Sequence, residues 1–492
     1  MSRTGPAGRV TTAAIVNLGC KVNQSEMEAA ARLLRERGVA VVDGTAPGAE
    51  ADLVLVNTCT VTAEADSKSR AAVRRARRAN PAAELVVTGC AVQTAPEMFA
   101  VAEPRARLID NRAKAGLLDE LDRLVALPTG STGPLDQALP TISGVELASA
   151  ADDRAAVERT RAFVKVQDGC SFFCTYCIIP AARGPERSLP PETVLADVRR
   201  ALDSGHREIV LTGINIGTYD GGCSQRGPRG SHRSSLLTLA GLVRMLLAET
   251  AVERVRLSSI EPQHVDEDLL AAWQASRGRC LPHFHLPLQS GDDGVLRRMG
   301  RRYDAAAYAA TVARIRRAVP GAAIHGDVIV GFPTEDGPAW QRSLDFIRSI
   351  GFAGIHVFRY SARPGTPATR MSGAVDERTR KRRAAELLGI AAGARAAFAA
   401  AHVGGVARVL FESRRADGRW VGHAEDHVLV SAVAPAGEPD LENAIGRVGI
   451  DRVDREAADR TVGRILELDL PRRAIRRVLP TLSSLQGAMH AS

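Results

Sequence analysis

Three cysteines within eight consecutive residues constrain the fold of this 492-residue chain more than any other feature of its sequence. Cys170, Cys174 and Cys177 follow an apolar segment, residues 161–167, whose composition is typical of a buried β-strand. Three thiolates on one short loop can wrap around a single metal centre. We therefore expect an α/β fold that places this loop at the carboxyl end of a strand, where active-site loops belong.

The number of cysteines in this loop predicts the kind of centre. A four-iron cluster bound by three cysteines keeps one iron open, whereas the ferredoxin pattern supplies four cysteines to each cluster. An open iron can chelate the amino and carboxylate groups of S-adenosylmethionine (SAM) and pass an electron to its sulfonium, which yields a 5′-deoxyadenosyl radical. A zinc site is the alternative, but it would need a fourth ligand, and no histidine lies close by. Tyr176 is placed to pack over a bound adenine.

A second set of cysteines is spread over the first ninety residues. Cys20, Cys59 and Cys90 each follow an apolar run that is predicted to be a strand. Open parallel sheets bind ligands at the carboxyl ends of their strands, so these three thiols would converge at one edge. We predict a second three-cysteine cluster with an exchangeable iron site. Three unrelated thiols in the core are the alternative.

Strand-like and helix-like segments alternate in residues 10–126. Ser25 and Glu28 have the spacing of a capping box, which predicts a helix that opens there and runs through Arg37. A second helix is predicted over residues 64–80. This alternation predicts an N-terminal α/β domain with a parallel sheet covered by helices. The predicted strands cover residues 13–18, 52–57 and 84–88.

A longer α/β series is predicted to form a central domain over residues 158–401, after a linker, residues 127–157, that is rich in Pro, Gly, Ser and Thr. Six βα units predict a partial (β/α)6 barrel that is related to the eightfold barrel, with function at the carboxyl ends of the strands. Residues 221–235 interrupt the series and predict a flexible surface insertion. The six predicted strands cover residues 161–167, 208–212, 254–258, 283–287, 324–330 and 354–360.

The pattern changes after a long helix that is predicted over residues 377–401. Five short strands separated by turn residues predict a small β-barrel of the oligonucleotide-binding type over residues 402–467. The remaining residues, 468–492, form a predicted basic tail. The five predicted strands cover residues 406–411, 419–422, 427–433, 448–453 and 462–466.

Several residues outside the cysteine sets are candidates for site roles. Gly213 and Gln289 lie in segments that follow barrel strands and could contact SAM, although a role in loop structure is an equal alternative. His283 and His285 alternate on a predicted strand, so both side chains should lie on one face. We favour a core or hydrogen-bonding role over metal ligation for this pair. The two remaining cysteines, predicted to be free thiols, are Cys223 and Cys280.

Composition and charge narrow the class of protein and the kind of partner. The formal net charge of +9 favours a polyanionic partner. Basic runs on the helix at 64–80 and at residues 297–302 and 378–383 could contact RNA phosphates, although such runs are usually solvated faces. No apolar run approaches the ~20 residues of a membrane span, and the first ten residues lack a signal-peptide core. We expect a cytoplasmic protein that does not bind membranes.

These motifs together resemble the radical SAM methylthiotransferase family over almost the whole chain. The resemblance lies in the Cys170, Cys174 and Cys177 loop with the Ile-Ile-Pro that follows it, in the segments LPLQSGD and DVIVGFP, and in a C-terminal barrel similar to a TRAM domain. Ala181 and Pro185 depart from the residues that are commoner in this loop. The segment LGCKVNQ around Cys20 is similar to the branch that acts on N6-threonylcarbamoyladenosine in tRNA.

The resemblance implies a reaction and its partners. One SAM would methylate a sulfur held at the auxiliary [4Fe-4S] cluster of Cys20, Cys59 and Cys90. A second SAM, at the other [4Fe-4S] cluster, would generate the radical that abstracts hydrogen from C2 of the modified adenine beside the anticodon, and methylthio transfer would follow. This reaction requires both trios to reach one base. The implied partners are the tRNA anticodon loop, an electron donor such as flavodoxin or ferredoxin, and a sulfur source.

The sequence leaves two other kinds of function open. The same chemistry could methylthiolate isopentenyladenosine in tRNA or a side chain of a ribosomal protein. A protein of another class, a non-catalytic RNA-binding protein with structural metal sites, would also carry clustered cysteines and a net positive charge.

Overall fold

The structure is a computed structural model in which the described residues form two compact units. Residues 10–60 and 64–126 belong to the first unit, and residues 61–63 and 160–471 belong to the second. Within the described residues, every helix is too short or too polar to cross a lipid bilayer. The predicted linker, Cys223 and nearly all of the predicted insertion and tail lie outside the described residues, which are 10–45, 50–126, 160–222, 237–437 and 440–471.

The first unit is built on a five-stranded parallel sheet with strand order β2-β1-β3-β4-β5. The strands are β1 (Thr12–Asn17), β2 (Ala40–Asp43), β3 (Leu53–Thr58), β4 (Glu84–Gly89) and β5 (Arg107–Ile109). The helices are α1 (Lys21–Glu36), α2 (Ala63–Ala79), α3 (Cys90–Thr94), α4 (Pro96–Ala102) and α5 (Leu117–Ala126).

Helices cover both faces of this sheet, which explains why its strands are apolar at nearly every position. Successive residues of the central strand β3 point to opposite faces: Leu53 and Leu55 pack against α1 and α5, and Val54 and Val56 pack against α2 and α4. All six residues of β3 are buried. The prediction of a parallel sheet covered by helices is confirmed.

Local details of the first unit differ from the predictions. Helix α1 begins at Lys21 and not at Ser25, so the predicted capping box is wrong: Ser25 and Glu28 lie inside the helix. The helix starts earlier because the main-chain carbonyl of Cys20 already accepts the first helical hydrogen bond from Gln24, at 3.1 Å. Two short strands, β2 and β5, have no counterpart among the predicted strands.

The second unit begins with six parallel strands in chain order. They form two three-stranded sheets, β6-β9-β10 and β11-β12-β13, that are joined by single parallel bridges from Val255 to Cys280 and from Ser259 to His285. The predicted partial (β/α)6 barrel is therefore confirmed. Its strands are β6 (Arg161–Lys165), β9 (Glu208–Thr212), β10 (Arg254–Leu257), β11 (His283–His285), β12 (Ala323–Val330) and β13 (Gly354–Arg359), with the short pair β7 (Gln167–Asp168) and β8 (Arg187–Ser188).

Helices pack on the outer face of the six strands. Ile209, Val255, Phe284 and Ile324 contribute to the large core beneath these helices. The residues that alternate with them face the other way, because successive side chains of a strand alternate in direction, and several of these, such as Glu208, Arg254 and His283, are polar. The helices are α6 (Ile179–Arg183), α7 (Pro191–Asp203), α8 (Leu239–Glu249), α9 (Glu267–Ala275), α10 (Asp293–Met299), α11 (Ala305–Ala318), α12 (Gly337–Ile350) and α13 (Glu377–Ala400).

A small closed β-barrel completes the second unit, as predicted, with strand order β14-β15-β16-β18-β17. Its core contains Phe411, Trp420 and Val430. Each strand lies within a few residues of its predicted position, and the last is longer than expected. The strands are β14 (Val406–Arg414), β15 (Trp420–Ala424), β16 (Leu429–Ala432), β17 (Ile445–Val453) and β18 (Arg460–Asp469).

A buried ion triad connects the small barrel to the six strands. Glu208 on β9 accepts from Nε of both Arg254 and Arg256 on β10, each at 2.7 Å, and all three side chains are almost fully buried. The two guanidinium groups lower the pKa of Glu208 far below its usual value, against the effect of burial. Arg254 also donates to the carbonyl of His423, and Arg256 to that of Glu425. We call these three residues the Glu208 triad.

Candidate functional site

Cys20, Cys59 and Cys90 come after three neighbouring strands of the first unit. In the sheet register Asn17 pairs with Asn57, and Thr58 pairs with Gly89, so the three strands end side by side. Cys59 and Cys90 directly follow β3 and β4, and Cys20 follows β1 by three residues. The strand order reverses between β1 and β3, and sheets of this topology bind ligands at such a switch point.

Contacts around these cysteines show that their loops approach closely. A Cβ built on Gly19 would lie 3.2 Å from Sγ of Cys59, so the residue before Cys20 touches the second cysteine. Asn23 on α1 donates to the carbonyls of Leu18, at 2.6 Å, and Thr58, at 3.2 Å, and thereby ties the ends of β1 and β3 together. Cys20 is exposed, Cys59 is partly buried and Cys90 is buried, so the exposure of the three cysteines falls in chain order.

The second cysteine trio lies on a loop held by its own backbone. The short pair β7 and β8 opens and closes the loop, and the amide of Cys170 donates to the carbonyl of Gly184 at 3.1 Å. The amide of Cys177 donates to the carbonyl of Cys174 at 2.9 Å, which curls the chain between these cysteines. The loop therefore follows β6 and β7, at the carboxyl end of the first barrel strand.

Burial and one cation shape the electrostatics of this loop. Burial raises the pKa of the Cys177 thiol to about 12 and also raises the pKa of Cys170. Nη1 of Arg301 lies 3.4 Å from Sγ of Cys174 and 3.4 Å from the hydroxyl of Tyr176. Thiols become thiolates when they bind metal, so metal loading of this loop would release protons.

The spacing of the sulfurs favours a multi-iron centre over a single zinc ion. Two sulfurs ~2.3 Å from one tetrahedral zinc ion are roughly 3.8 Å apart. No cysteine in the described part of the chain belongs to a group of three ligand atoms that all lie within 4.8 Å of one another. A four-iron cluster binds each cysteine through a different iron, so it spans a wider trio. The absence of so tight a group speaks against a zinc site at the described cysteines, and the cluster role of both trios stays a prediction.

Polar atoms without partners lie at the ends of three barrel strands. Asn215 follows β9, Ser258 follows β10 and Gln289 follows β11. The side-chain amide of Asn215, Oγ of Ser258 and Oε1 of Gln289 are buried and have no hydrogen-bond partner among the described residues. Buried polar groups are rarely left unpaired, so this arrangement fits a polar ligand at the carboxyl ends of the strands.

The three predicted SAM contacts occupy different environments. Gly213 lies where a Cβ would be 2.8 Å from the carbonyl of Gln167, so its close approach to the neighbouring strand requires glycine. Gln289 has a left-handed φ of 68°, and its own Oε1 is one of the unpaired atoms. Tyr176 packs edge-on against Phe332, with ring centroids 6.4 Å apart. The SAM role of all three stays a prediction.

Some site residues were not identified from the sequence. Arg301 forms a buried ion pair with Glu261 and lies over the ring of Tyr303. The sequence places Arg301 in a basic run that was considered for RNA contact, but its side chain is only 3% exposed. Arg383, in another such run, is also buried and paired with Glu335 at 2.7 Å. For these two arginines, a role in RNA contact is wrong.

Comparisons with known proteins agree with this layout. Residues 12–109 match the model of a family described as uncharacterized protein family UPF0004, and residues 164–347 match the Radical SAM superfamily. The first match contains Cys20, Cys59 and Cys90, and the second contains the cysteine loop. Each trio thus lies inside one matched family.

Similar proteins cover most of the chain. The threonylcarbamoyladenosine tRNA methylthiotransferase MtaB of Bacillus subtilis (strain 168) is 34% identical over 86% of this chain and 90% of that protein. The tRNA-2-methylthio-N(6)-dimethylallyladenosine synthase of Maricaulis maris (strain MCS10) is 33% identical over 90% of this chain and 95% of that protein. The solved methyltransferase TsrM from Kitasatospora setae, with tryptophan and a SAM analogue bound, is 17% identical, with a TM-score of 0.49 over 73% of this chain and 75% of that one.

Proposed function

Since this chain belongs to the radical SAM methylthiotransferase family, we propose that it transfers a methylthio group to C2 of N6-threonylcarbamoyladenosine next to the anticodon of tRNA. The chain is an enzyme that uses SAM and [4Fe-4S] clusters. The substrate is the proposed part. The observation that carries it is the 34% identity to an enzyme named for this nucleoside over 90% of that enzyme's length.

Six cysteines would hold two clusters. Cys20, Cys59 and Cys90 would bind the auxiliary cluster, and Cys170, Cys174 and Cys177 would bind the cluster that receives SAM. When bound, these groups supply a sulfur for transfer and a 5′-deoxyadenosyl radical. The two reactions would act on one nucleoside in turn, so its base would have to reach both trios. Holding the reactants in one positioned complex replaces an encounter of separate molecules.

The residues at the barrel strand ends would hold and orient SAM. Asn215, Ser258 and Gln289 offer buried donors and acceptors that match a ligand with amino, carboxylate and hydroxyl groups. Gly213 would keep the segment after β9 close to Gln167, beside the ligand, and Tyr176 would pack against the adenine. Satisfying these unpaired groups would also favour binding, because an unpaired buried polar atom costs about 1–3 kcal/mol.

Arg301 would act as a positioning residue for the cysteine loop. Its guanidinium touches both Sγ of Cys174 and the hydroxyl of Tyr176, and the buried Glu261 carboxylate holds it in place. These contacts would hold the segment from Cys174 to Tyr176 in one position.

The tRNA would bind through phosphate contacts from exposed cations. Lys68, Arg74, Arg75 and Arg78 on α2 are exposed, and the chain carries a net charge of +9. Non-specific attraction of this kind brings the anticodon loop to the protein, and loop nucleotides are the easiest to unstack. The reaction further requires a reductant, such as flavodoxin or ferredoxin, and a source of sulfur.

Nucleoside analysis of tRNA tests the substrate. Deletion of the gene should remove 2-methylthio-N6-threonylcarbamoyladenosine, measured by mass spectrometry of digested tRNA, and leave the unmethylthiolated nucleoside in its place. The intact gene should restore the modification, and a Cys174→Ala gene should not. An unchanged level of this nucleoside in the deletion strain would contradict the proposal.

A second substrate, isopentenyladenosine, is favoured by one observation. The dimethylallyladenosine synthase of Maricaulis maris is 33% identical to this chain over 95% of its own length, nearly the same identity as the first relative. The same digest distinguishes the two: loss of the 2-methylthio form of isopentenyladenosine, with the threonylcarbamoyl nucleoside unaffected, would favour this second substrate.

A further inference from the structure

Four histidines from two strands of the partial barrel and from the small barrel meet at one place. His283 and His325 lie on β11 and β12, and His423 and His427 lie on and just after β15. The ring centroid of His283 lies 4.7 Å from that of His325 and 4.8 Å from that of His427. The Cys170 loop lies elsewhere, because it follows the carboxyl end of β6 whereas His283 opens β11 at the amino end.

Strand geometry explains why the first two rings meet. His285 pairs with His325 in the parallel register of β11 and β12, so His283 and His325 point to the same, inner face. Gly354 pairs with His325 on the next strand, and a Cβ there would lie 2.8 Å from Nε2 of His325. The missing side chain at Gly354 makes room for the imidazole.

Three of these rings present one nitrogen each to a common point. Ring nitrogens of His283, His325 and His427 all lie within 4.8 Å of one another. Nδ1 of His283 and Nδ1 of His325 are buried and have no hydrogen-bond partner among the described residues. Only 6% of the surface of His283 is exposed to solvent. An ion between the rings would satisfy these nitrogens.

In a neighbouring group of similar residues, ring nitrogens already have hydrogen-bond partners. His285, Asp327 and His356 also bring three possible ligand atoms within 4.8 Å. Both ring nitrogens of His285 are already used, however, since Nε2 lies 2.8 Å from Asp327 and Nδ1 lies 3.1 Å from Ser259. That group is a hydrogen-bonded network, and the unpaired nitrogens single out the first group.

Paired arginines and carboxylates surround the three rings. Arg161 donates to Nε2 of His427 at 3.3 Å, and it also pairs with Glu412 at 3.0 Å, so it keeps a carboxylate partner if His427 turns to an ion. Arg254 and Arg256 share the single carboxylate of Glu208, so the Glu208 triad leaves one net positive charge near the rings. Neutral imidazole is the form of histidine that binds a metal ion.

We propose that His283, His325 and His427 form a three-histidine site for a divalent transition metal ion of the zinc class. Imidazole nitrogen suits zinc and its neighbours, whereas calcium and magnesium prefer oxygen ligands. Water or His423, whose ring centroid is 4.4 Å from that of His427, completes a tetrahedral set. The ion would join the small barrel to β11 and β12.

Zinc content and X-ray absorption of the intact protein test this site. The full chain, with its iron clusters reconstituted, is dialysed against zinc and measured for iron and zinc together. We expect one zinc per chain, with a zinc absorption spectrum that fits nitrogen at about 2.0 Å and not sulfur at about 2.3 Å. The zinc content of His325→Gln and of His283→Gln should fall at least tenfold, with the iron content unchanged.

A matched control and the absorption data keep the test decisive. His206→Gln removes another buried histidine, whose Nδ1 bonds the carbonyl of Ala201 at 2.9 Å, and should retain full zinc. Sulfur ligation, absence of zinc from the intact protein, or equal zinc in all four proteins would overturn the site. The absorption result on the unsubstituted protein decides the question even if a variant fails to fold, and it does not depend on the substrate of the enzyme.

Discussion

Cys59 and Cys174 belong to different cysteine trios, in different units, and their alanine variants should lose different activities. Cys174→Ala removes a ligand of the cluster that receives SAM, so 5′-deoxyadenosine should become undetectable. Cys59→Ala should retain 5′-deoxyadenosine formation and lose methylthiolated tRNA. Chromatography of 5′-deoxyadenosine and mass spectrometry of the nucleosides measure the two activities in one reaction.

Cys280→Ala provides the control for both variants. Cys280 is a buried thiol, paired through its backbone with Val255 at the start of β10, and lies in the apolar core. Its variant should retain both activities apart from a modest loss of stability. Equal loss of both activities in Cys59→Ala would refute separate roles for the two trios.

His402 at the end of α13 makes the stability of the second unit depend on pH. A hydrogen bond from its ring to Asp426, at 2.6 Å, raises the pKa of His402 above its usual value of 6.5. The stabilisation is complete below pH 6.5 and is lost as pH rises through the raised pKa. Thermal unfolding should therefore show a loss of about 1.5 kcal/mol or less on going to higher pH.

His402→Gln removes the titrating group and should flatten this dependence. The comparison is the difference in melting temperature between the two proteins at each pH, which cancels the groups that they share. A pH dependence that is the same in both proteins would show that the pair with Asp426 contributes nothing.

Single residues show clearly where sequence reasoning succeeds. The six cysteines could be selected because spacing within a loop, or position after a strand, is visible in one dimension. The pair of Arg301 and Glu261 could not, since its partners are forty positions apart and the arginine stands in a run that looks solvated. The meeting of His283 with His427 depends on the docking of the small barrel, which no local pattern encodes.

The cysteine loop as an element depends on one glycine at its start. Gly169 has a φ of 71°, and a Cβ there would lie 2.0 Å from the carbonyl oxygen of Pro185. Gly169→Ala should therefore displace the strand pair that closes the loop. We expect the iron content to fall by at least half and SAM cleavage to fall with it.

Gly393→Ala is the matched control for this substitution. Gly393 is exposed inside helix α13, and a Cβ there meets nothing within 4 Å. Alanine should stabilise the helix by roughly 0.5–1 kcal/mol. Iron content per chain and the melting temperature compare the two variants. Unchanged iron in Gly169→Ala would mean that the loop tolerates rearrangement at its base.

Elements with strong periodicity were predicted well, and weak ones were not. All six barrel strands could be placed from their apolar runs, and the long helix α13 from its length and its Ala- and Arg-rich composition. Strands β2 and β5, of four and three residues, are the two edge strands of the first sheet and lie in segments without a long apolar run. The start of α1 was misplaced because the backbone of Cys20 caps the helix without any capping side chain, so the sequence carries no signal there.

At the scale of the whole molecule, the net charge of +9 predicts that tRNA affinity depends strongly on salt. Each phosphate contact contributes roughly 0.7–0.9 to the slope of log affinity against log salt concentration. Arg74→Ala and Arg75→Ala remove exposed cations of α2, and each should reduce this slope by about 1. Filter binding of tRNA at several salt concentrations measures it.

Arg199→Ala is the control for the salt experiment. Arg199 is half exposed on α7 and already pairs with Glu249 at 3.2 Å, so it offers little net charge to a phosphate. Its variant should keep the slope of the parent protein. If the α2 variants also keep that slope, helix α2 does not contact tRNA.

The Glu208 triad has a consequence for how the protein matures on the ribosome. Its two arginines lie in the middle of the chain, yet two of the carbonyls that they bind, those of His423 and Glu425, are synthesised about 170 residues later. Until those residues leave the exit tunnel, the guanidinium groups of the nascent partial barrel have N–H donors without these acceptors. The central domain should therefore complete its folding only when synthesis is nearly finished. Until then it is exposed to chaperones and proteases.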